Sequence, residues 1–508
     1  MIDYNHLLFQ SIIVPMVFSI IALAAGRVLG KQTGWLAFAA LAYSTAIIWY
    51  VNCGLFRGTI GGRLEASYAW APYIGDFTLV ADGLSAPFAL VIALLSALIA
   101  VYSIVYMEHE HALGTYFALY LMYGAGMIGT VLTTNLAAFF LFFELMLLPS
   151  WALIGVWGTG PKEMIAFKYF MFTEAGALSL LAGIATTGFI AGTFDVFSIA
   201  SKVAKTDITV LIAIVTAMLI GLFVKMAIFP VHTWLPDAHA EAPTPISALL
   251  SPAMIGIGGY AAIRIVYTAF PMVLGRWQFV ITLAVLALIT MVYGGAMALA
   301  QEDMKRLLAY SSISQMGYLL FGIASLSVLG LAGAILLYIS HGLCKAILFM
   351  VAGIFIHNFK TRNIRDLCGL AGKMPYTATA TLIAFLGLAG APPLIGFWGE
   401  FFVFSGSMYT GFAGILGRDF TRVAVTALAV VASVLTAGYG LWTMRRIFYG
   451  ELTEKLKEAR EAPALMIGPI MILAALAIIL GVYPTFISKS IGSILYDLIS
   501  KTTAAIGS

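Results

Sequence analysis

Seven ionisable residues stand inside apolar runs of this chain: Glu144, Lys168, Glu174, Lys225, His341, Lys345 and Glu400. A charge at the centre of a bilayer costs about 2.5 kcal/mol or more unless it is paired or hydrated. A chain that repeats this cost on several segments points to ion movement. Glutamate and lysine suit that work. Burial disfavours the charged form of either, and an opposite charge nearby restores it. Shifting one charge near a Glu–Lys pair therefore changes the lysine's affinity for a proton, which is the elementary step of a pump.

Each group also has a plainer reading. Glu144, in FFLFFELMLLPS, is a translocating group or one partner of a structural ion pair. Lys225 sits five residues before Pro230 and beside a predicted helix break that gives water room to reach it. His341 and Lys345, in SHGLCKAILFM, are four residues apart and share a helix face, as a proton path or as a packed polar cluster. Glu400, in GAPPLIGFWGEFFVF, follows Pro392–Pro393. Lys168 and Glu174 are auxiliary candidates. The first lies near the start of its span and could snorkel, and the second could neutralise a neighbouring lysine. His232 and His239 fall within FVKMAIFPVHTWLPDAHAEAPTPISALLS, where they relay protons or cap broken helices. Asp82, in ADGLSAPF, reads as a helix N-cap or a contact with the break.

The elements that must hold these groups are membrane helices. The chain has 508 residues, is 62% hydrophobic and 10% charged, and has a mean hydropathy of +1.00, whereas a soluble domain carries about 25% charged residues. An all-α polytopic membrane protein is expected. Fourteen spans are predicted, at Leu7–Leu29, Trp35–Phe56, Leu84–Tyr106, Thr115–Thr134, Leu136–Trp157, Met164–Gly192 and Ile208–Phe229 in the first half. The rest are Pro245–Phe270, Trp277–Ala300, Leu307–Leu326, Leu329–Ile356, Thr377–Tyr409, Thr421–Phe448 and Leu465–Ile487. The seventh is broken at Pro230 and the twelfth at Pro392–Pro393, because proline lacks an N–H and clashes with the preceding turn. Broken helices at membrane depth occur where they line a site, and matching breaks in two halves point to a transporter built from repeats.

Fourteen Lys and Arg residues, Lys162, Arg306 and Arg362 among them, fall in loops on one side of these spans, against nine, such as Arg63 and Arg276, on the other. The positive-inside rule then puts both termini on the outer side of the cell membrane. The opening MIDYNHLLFQ lacks a basic n-region, so the first span is expected to remain in the mature protein. The segment Gly450–Pro463, GELTEKLKEAREAP, has Glu451–Lys455 and Lys457–Glu461 at helical spacing and is expected to form a solvated surface helix. The net charge of +4 lies mostly in loops and points to no nucleic-acid partner. Cys53, Cys344 and Cys368 are far apart, which predicts no zinc, iron–sulfur or disulfide framework, hence no metal or cofactor in this chain.

Seven motifs in order carry a resemblance: ADGLSAPF, NLAAFFLFFELMLLPSW, AFKYFMFTEAG, VKMAIFPVHTWLPDAHAEAPTPISALL, QEDMKRLLAYSSISQMGY, SHGLCKAILFM and APPLIGFWGEF. Over about Asp82–Tyr449 the chain resembles the antiporter-like, proton-translocating subunits of respiratory complex I, Mrp-type cation/proton antiporters and energy-converting membrane-bound hydrogenases. The resemblance implies fourteen core helices with two inverted five-helix repeats and discontinuous helices seven and twelve. It divides the chain into three N-terminal helices (1–106), a first repeat (115–270), a second (277–449), a charged inner-side segment (450–464) and a last helix with its tail (465–508). No long lateral helix is expected after it. By resemblance Glu144 matches the modulating glutamate, Lys225 the pumping lysine, Glu400 the exit-side group, and His341 with Lys345 the eleventh-helix polar centre. Relatives often carry a second lysine in the eighth span, four residues before a tyrosine; here the tyrosine is Tyr260 and that position is Gly256.

The expected function is proton translocation within a redox-driven complex, of hydrogenase or complex I type. Nickel–iron and iron–sulfur centres would lie in peripheral redox subunits on the inner side, with further membrane subunits and the lipid bilayer as the other partners. The alternatives are a sodium/proton antiporter subunit of an Mrp-like assembly, a structural or quinone-contacting subunit, and a stand-alone solute transporter.

Overall fold

The computed structural model describes residues 6–507; residues 1–5 of the opening stretch and residue 508 lie outside the described residues. Helix α1 (Leu7–Leu29) turns back on α2 (Thr33–Arg57) through Gly30, whose φ of +52° falls in the left-handed region. Ser44 Oγ–H donates to the Ser11 carbonyl and ties the two helices together. An antiparallel hairpin follows, β1 (Arg63–Ala71) with β2 (Gly75–Asp82), Arg63 opposite Asp82. The sequence reading did not foresee it, since Tyr68, Trp70 and Thr78 alternate with charged and small residues instead of making an apolar run.

Next come α3 (Ser85–Tyr106), α4 (Leu113–Leu132), α5 (Leu136–Trp157) and α6 (Lys162–Ala191). Asn135 caps α5 by accepting from the Ala137 and Ala138 N–H groups, and its own amide donates to Ile74 and Asp76 carbonyls in the hairpin. Asp195 and Asp207 cap the short α7 (Val196–Val203) and α8 (Ile208–Met226). Beyond a non-helical stretch, α9 (Trp234–Glu241) precedes α10 (Thr244–Leu249) and α11 (Ile255–Ala262). Wide turns at 250–254, where Pro252 has no N–H to donate, and at 263–267 continue this helix.

The second half holds α12 (Trp277–Leu299), α13 (Met304–Ile323), α14 (Val328–Phe359), α15 (Pro375–Leu388), α16 (Ile395–Ala413), α17 (Phe420–Ala432), α18 (Val434–Phe448), α19 (Ala464–Val482) and α20 (Thr485–Gly507). Helix α14, 32 residues and so about 48 Å long, is the axis of the bundle. It is buried from Gly330 to Phe355 and packs against α3, α10, α13, α15, α16, α19 and α20. Among the described residues eleven helical segments are long and apolar enough to cross a membrane, Leu7–Arg57 counting as one. Outward-facing Ile20, Phe167, Phe189 and Val431 give the bundle an apolar perimeter, as a bilayer requires.

Two expectations near the C-terminus are corrected. Gly450–Pro463 forms only a single tight turn at Glu454–Leu456, not a surface helix. Glu461 is drawn away to accept from the Tyr376 and Thr377 N–H groups and the Thr377 hydroxyl at the start of α15, and Lys457 pairs with Glu454. The Lys455 side chain, half of the expected Glu451–Lys455 pair, lies outside the described residues. The last span ends at Val482 instead of Ile487, and what was read as a tail is the helix α20. It packs against α2, α14 and the turn at Pro271–Gly275.

Candidate functional site

The first cluster forms where α8 stops. Lys225 is one residue from the helix end and 1% exposed; its Nζ finds no hydrogen-bond partner among the described residues and sits 4.6 Å from the centre of the Phe143 ring. Next in sequence to that ring is Glu144, on α5, and Glu174 on α6 lies against it. Both carboxyls are within electrostatic reach of Lys225. Small residues make this convergence possible: a Cβ on Gly221 of α8 would lie 2.4 Å from the Gly176 carbonyl oxygen of α6. Trp234, past the proline, donates its indole N–H to the Val224 carbonyl at 2.9 Å and so spans the gap left by the broken helix.

In the break itself His232 stacks on Phe229 and meets Tyr293 edge-on, 4.7 Å between ring centres. Further on, Asp237 of α9 binds Lys168 at 2.6 Å and Arg306 at 2.9 Å. The ammonium of Lys168 is thus held at Asp237, not beside Lys225.

The second cluster lies on the α14 axis. His239, fully buried, stacks on Phe349 at 4.8 Å, and neither of its ring nitrogens finds a partner. It lies within electrostatic reach of Lys305 and Lys345, and His341, equally unpartnered, within reach of Lys345 and His239. Lys345, 0% exposed, donates to the Leu308 carbonyl and to Ser311 Oγ on α13. Lys305 donates to the Ala240 and Ala242 carbonyls and closes the end of α9. Four ionisable groups from three elements meet here, in a region where unpaired polar atoms are costly.

The third position is the second break, residues 389–394 between α15 and α16. Glu400, 8% exposed, packs beside Gly390, and its Oε1 has no partner; no basic side chain pairs with it among the described residues. Tyr318 and Tyr439 lie within its electrostatic reach. Trp398 donates to the Gly481 carbonyl of α19 at 2.8 Å.

Asp82 lies apart from all three, at the hairpin end of the bundle. Its Oδ1 accepts from the Leu84 and Ser85 N–H groups at the start of α3 and from Arg264 Nη2–H at 2.6 Å. Arg264 also reaches the Tyr260 hydroxyl. The buried basic residues Arg264, Lys305 and Arg422 were missed in the sequence. Arg264 lies well inside the eighth predicted span and the rule used for Lys225 would have found it; Lys305 and Arg422 sit at span edges, where a loop charge looks the same. At Gly256 a Cβ would lie 2.2 Å from the Tyr338 ring, which fills the room a longer side chain would need. Among the described residues no three His, Cys, Asp or Glu side chains are grouped as a metal site.

Residues 133–436 match the family described as "NADH:quinone oxidoreductase/Mrp antiporter, TM". The chain belongs to this family. Residues 70–117 match the N-terminal family of complex I chain 5. The F(420)H(2) dehydrogenase subunit M of Methanosarcina mazei is 31% identical over 495 residues, covering 93% of this chain and 94% of that one. The NADH-quinone oxidoreductase subunit M of Rhodobacter capsulatus is 30% identical over 504 residues, 97% and 95% of the two chains. Among solved structures, a chain of the Mrp complex from a Dietzia species superposes with a TM-score of 0.86 at 24% identity, over 99% of both chains. A chain of Thermus thermophilus complex I does so at 0.84 and 24%, over 99% of this chain and 100% of that one. At that identity the likeness is one of fold.

Proposed function

We propose that this protein is the proton-translocating membrane subunit of a redox-driven, multi-subunit complex. The observation that carries the reading is the row of ionisable groups between the two breaks: half-buried Glu144 and Glu174 with buried Lys225 at the first, buried His239, His341, Lys345 and Lys305 on the α14 axis, and buried Glu400 at the second. Protons enter near Lys225 or Glu144, pass along the axis and leave by Glu400. His232 lines the entry, and Lys168 acts only in holding Asp237. Asp82 is structural, since its carboxylate is committed to Arg264 and to the start of α3.

In this reading the fold has fourteen spans, with α8–α9 and α15–α16 as the two discontinuous ones, and residues 115–270 and 277–449 are inverted repeats. Both termini lie on the outer side of the cell membrane. Relatives matched over nearly their whole length and named as subunits of F(420)H(2) dehydrogenase and NADH-quinone oxidoreductase favour a redox complex over an antiporter. Redox centres, iron–sulfur or nickel–iron, belong to partner subunits on the inner side.

The test is to isolate the complex gently from its native membrane, identify its subunits and reconstitute it in vesicles. Redox-driven proton uptake without a sodium requirement supports the reading. Sodium-dependent exchange stimulated by uncoupler, with only small hydrophobic partners, would replace it by the antiporter.

A further inference from the structure

The row of charges has a gap between Lys345 and Glu400, and we propose that Tyr439 of α18 bridges it as a proton relay working with Ser311. This rests on the translocation reading above and names the group that makes its last internal transfer. Lys345 already donates to Ser311 Oγ. Around the Tyr439 hydroxyl stand Ser311 and Gln315 of α13 and Thr436 one turn earlier on α18, and the Glu400 carboxyl is within electrostatic reach. Tyr439 is 0% exposed, yet its hydroxyl makes no well-formed hydrogen bond, and neither does Glu400 Oε1. Two buried polar atoms left open are unfavourable for stability alone, where phenylalanine would fill the tyrosine's space without an orphaned hydroxyl.

The neighbours fix the direction. Thr436 is engaged with the Tyr318 hydroxyl at 3.1 Å, and Gln315 Nε2–H donates to the Leu388 carbonyl, where α15 ends at the break. Of the side chains around the gap, Tyr439 has Ser311 beside its hydroxyl and Glu400 within electrostatic reach, and a phenol can accept one proton while giving up another. In the transfer the Lys345 ammonium loses one proton to Ser311, which passes its own to Tyr439, which passes its own to the Glu400 carboxylate. One N–H bond breaks and one carboxyl O–H bond forms. Both hydroxyls end neutral, and no electrons are exchanged.

The experiment uses the intact complex in vesicles, comparing the wild type with Tyr439→Phe, Ser311→Ala and Glu400→Gln. Tyr439→Phe keeps the ring and removes only the hydroxyl. Its proton uptake per redox turnover should fall on the order of tenfold or more, with a normal amount of assembled complex. Tyr439→His, which again offers a group able to accept and donate a proton, should restore part of it; a purely structural role for the ring predicts no such rescue. Normal uptake by Tyr439→Phe beside a defective Glu400→Gln overturns the relay and leaves the translocation reading standing. Normal uptake by both overturns the two together. If Tyr439→Phe fails to assemble, Ser311→Ala decides, and normal uptake there overturns the relay.

Discussion

Lys225 and Glu400 each stand beside a proline break, and their surroundings are opposite in kind. Lys225 faces two carboxyls, Glu144 and Glu174, with an aromatic ring against its ammonium. Glu400 faces no cation among the described residues, only the tyrosines Tyr318 and Tyr439. Even the paired tryptophans differ: Trp234 bridges its own break to α8, whereas Trp398 anchors to α19. A charge pair can be switched by moving one member. A carboxyl without a cation has no such partner and serves to hold and release a proton. On the proposed reading the two halves, each with one broken helix, divide the work between switching and release.

The largest expected effect breaks the first half's side of this contrast. Replacing both Glu144 and Glu174 by glutamine leaves Lys225 buried without a counter-charge, and proton uptake by the intact complex should fall on the order of 100-fold. Either single replacement should cost less, because the other carboxyl remains. Equal loss from single and double variants would show that one glutamate does all the switching.

Asp82→Asn tests whether a buried ion pair away from the path is purely structural. It strands Arg264, and loss of one member of a buried pair costs about 3 kcal/mol or more, read as a lower thermal midpoint of the purified complex. Uptake per assembled complex should stay near normal. Gly256→Ala is smaller again, about 1–3 kcal/mol of overpacking, since its Cβ would press on the Tyr338 ring; Tyr338→Ala in the same chain should relieve it. Lys168→Ala should change stability by about 0.5 kcal/mol, because Arg306 still holds Asp237. A large loss of uptake there would move Lys168 into the path.

The amino-acid sequence made the helices and both breaks legible, because Pro230 and Pro392–Pro393 interrupt otherwise continuous apolar runs. It also marked Glu144, Lys225, His341, Lys345 and Glu400, whose charge stands out against their flanks. The hairpin was hidden, since its stability comes from pairing and from the Asn135 amide, neither of which leaves an apolar period. Glu461 looked like part of a helical charge pattern, and its commitment to α15, 84 residues away along the chain, is a tertiary fact. Lys168 shows the same limit, since its partner Asp237 lies beyond a helix break. Tyr439 carried no signal at all, being one aromatic among many until the fold placed it beside Ser311.

The most direct test is redox-driven proton uptake by vesicles holding the native complex with Lys225→Ala or with Glu400→Ala. Translocation along this row requires that each variant assemble and lose most of its uptake, since one removes the switch and the other the release. Intact uptake in both would contradict it, and the buried charges would then be ion pairs and packing with no part in moving protons.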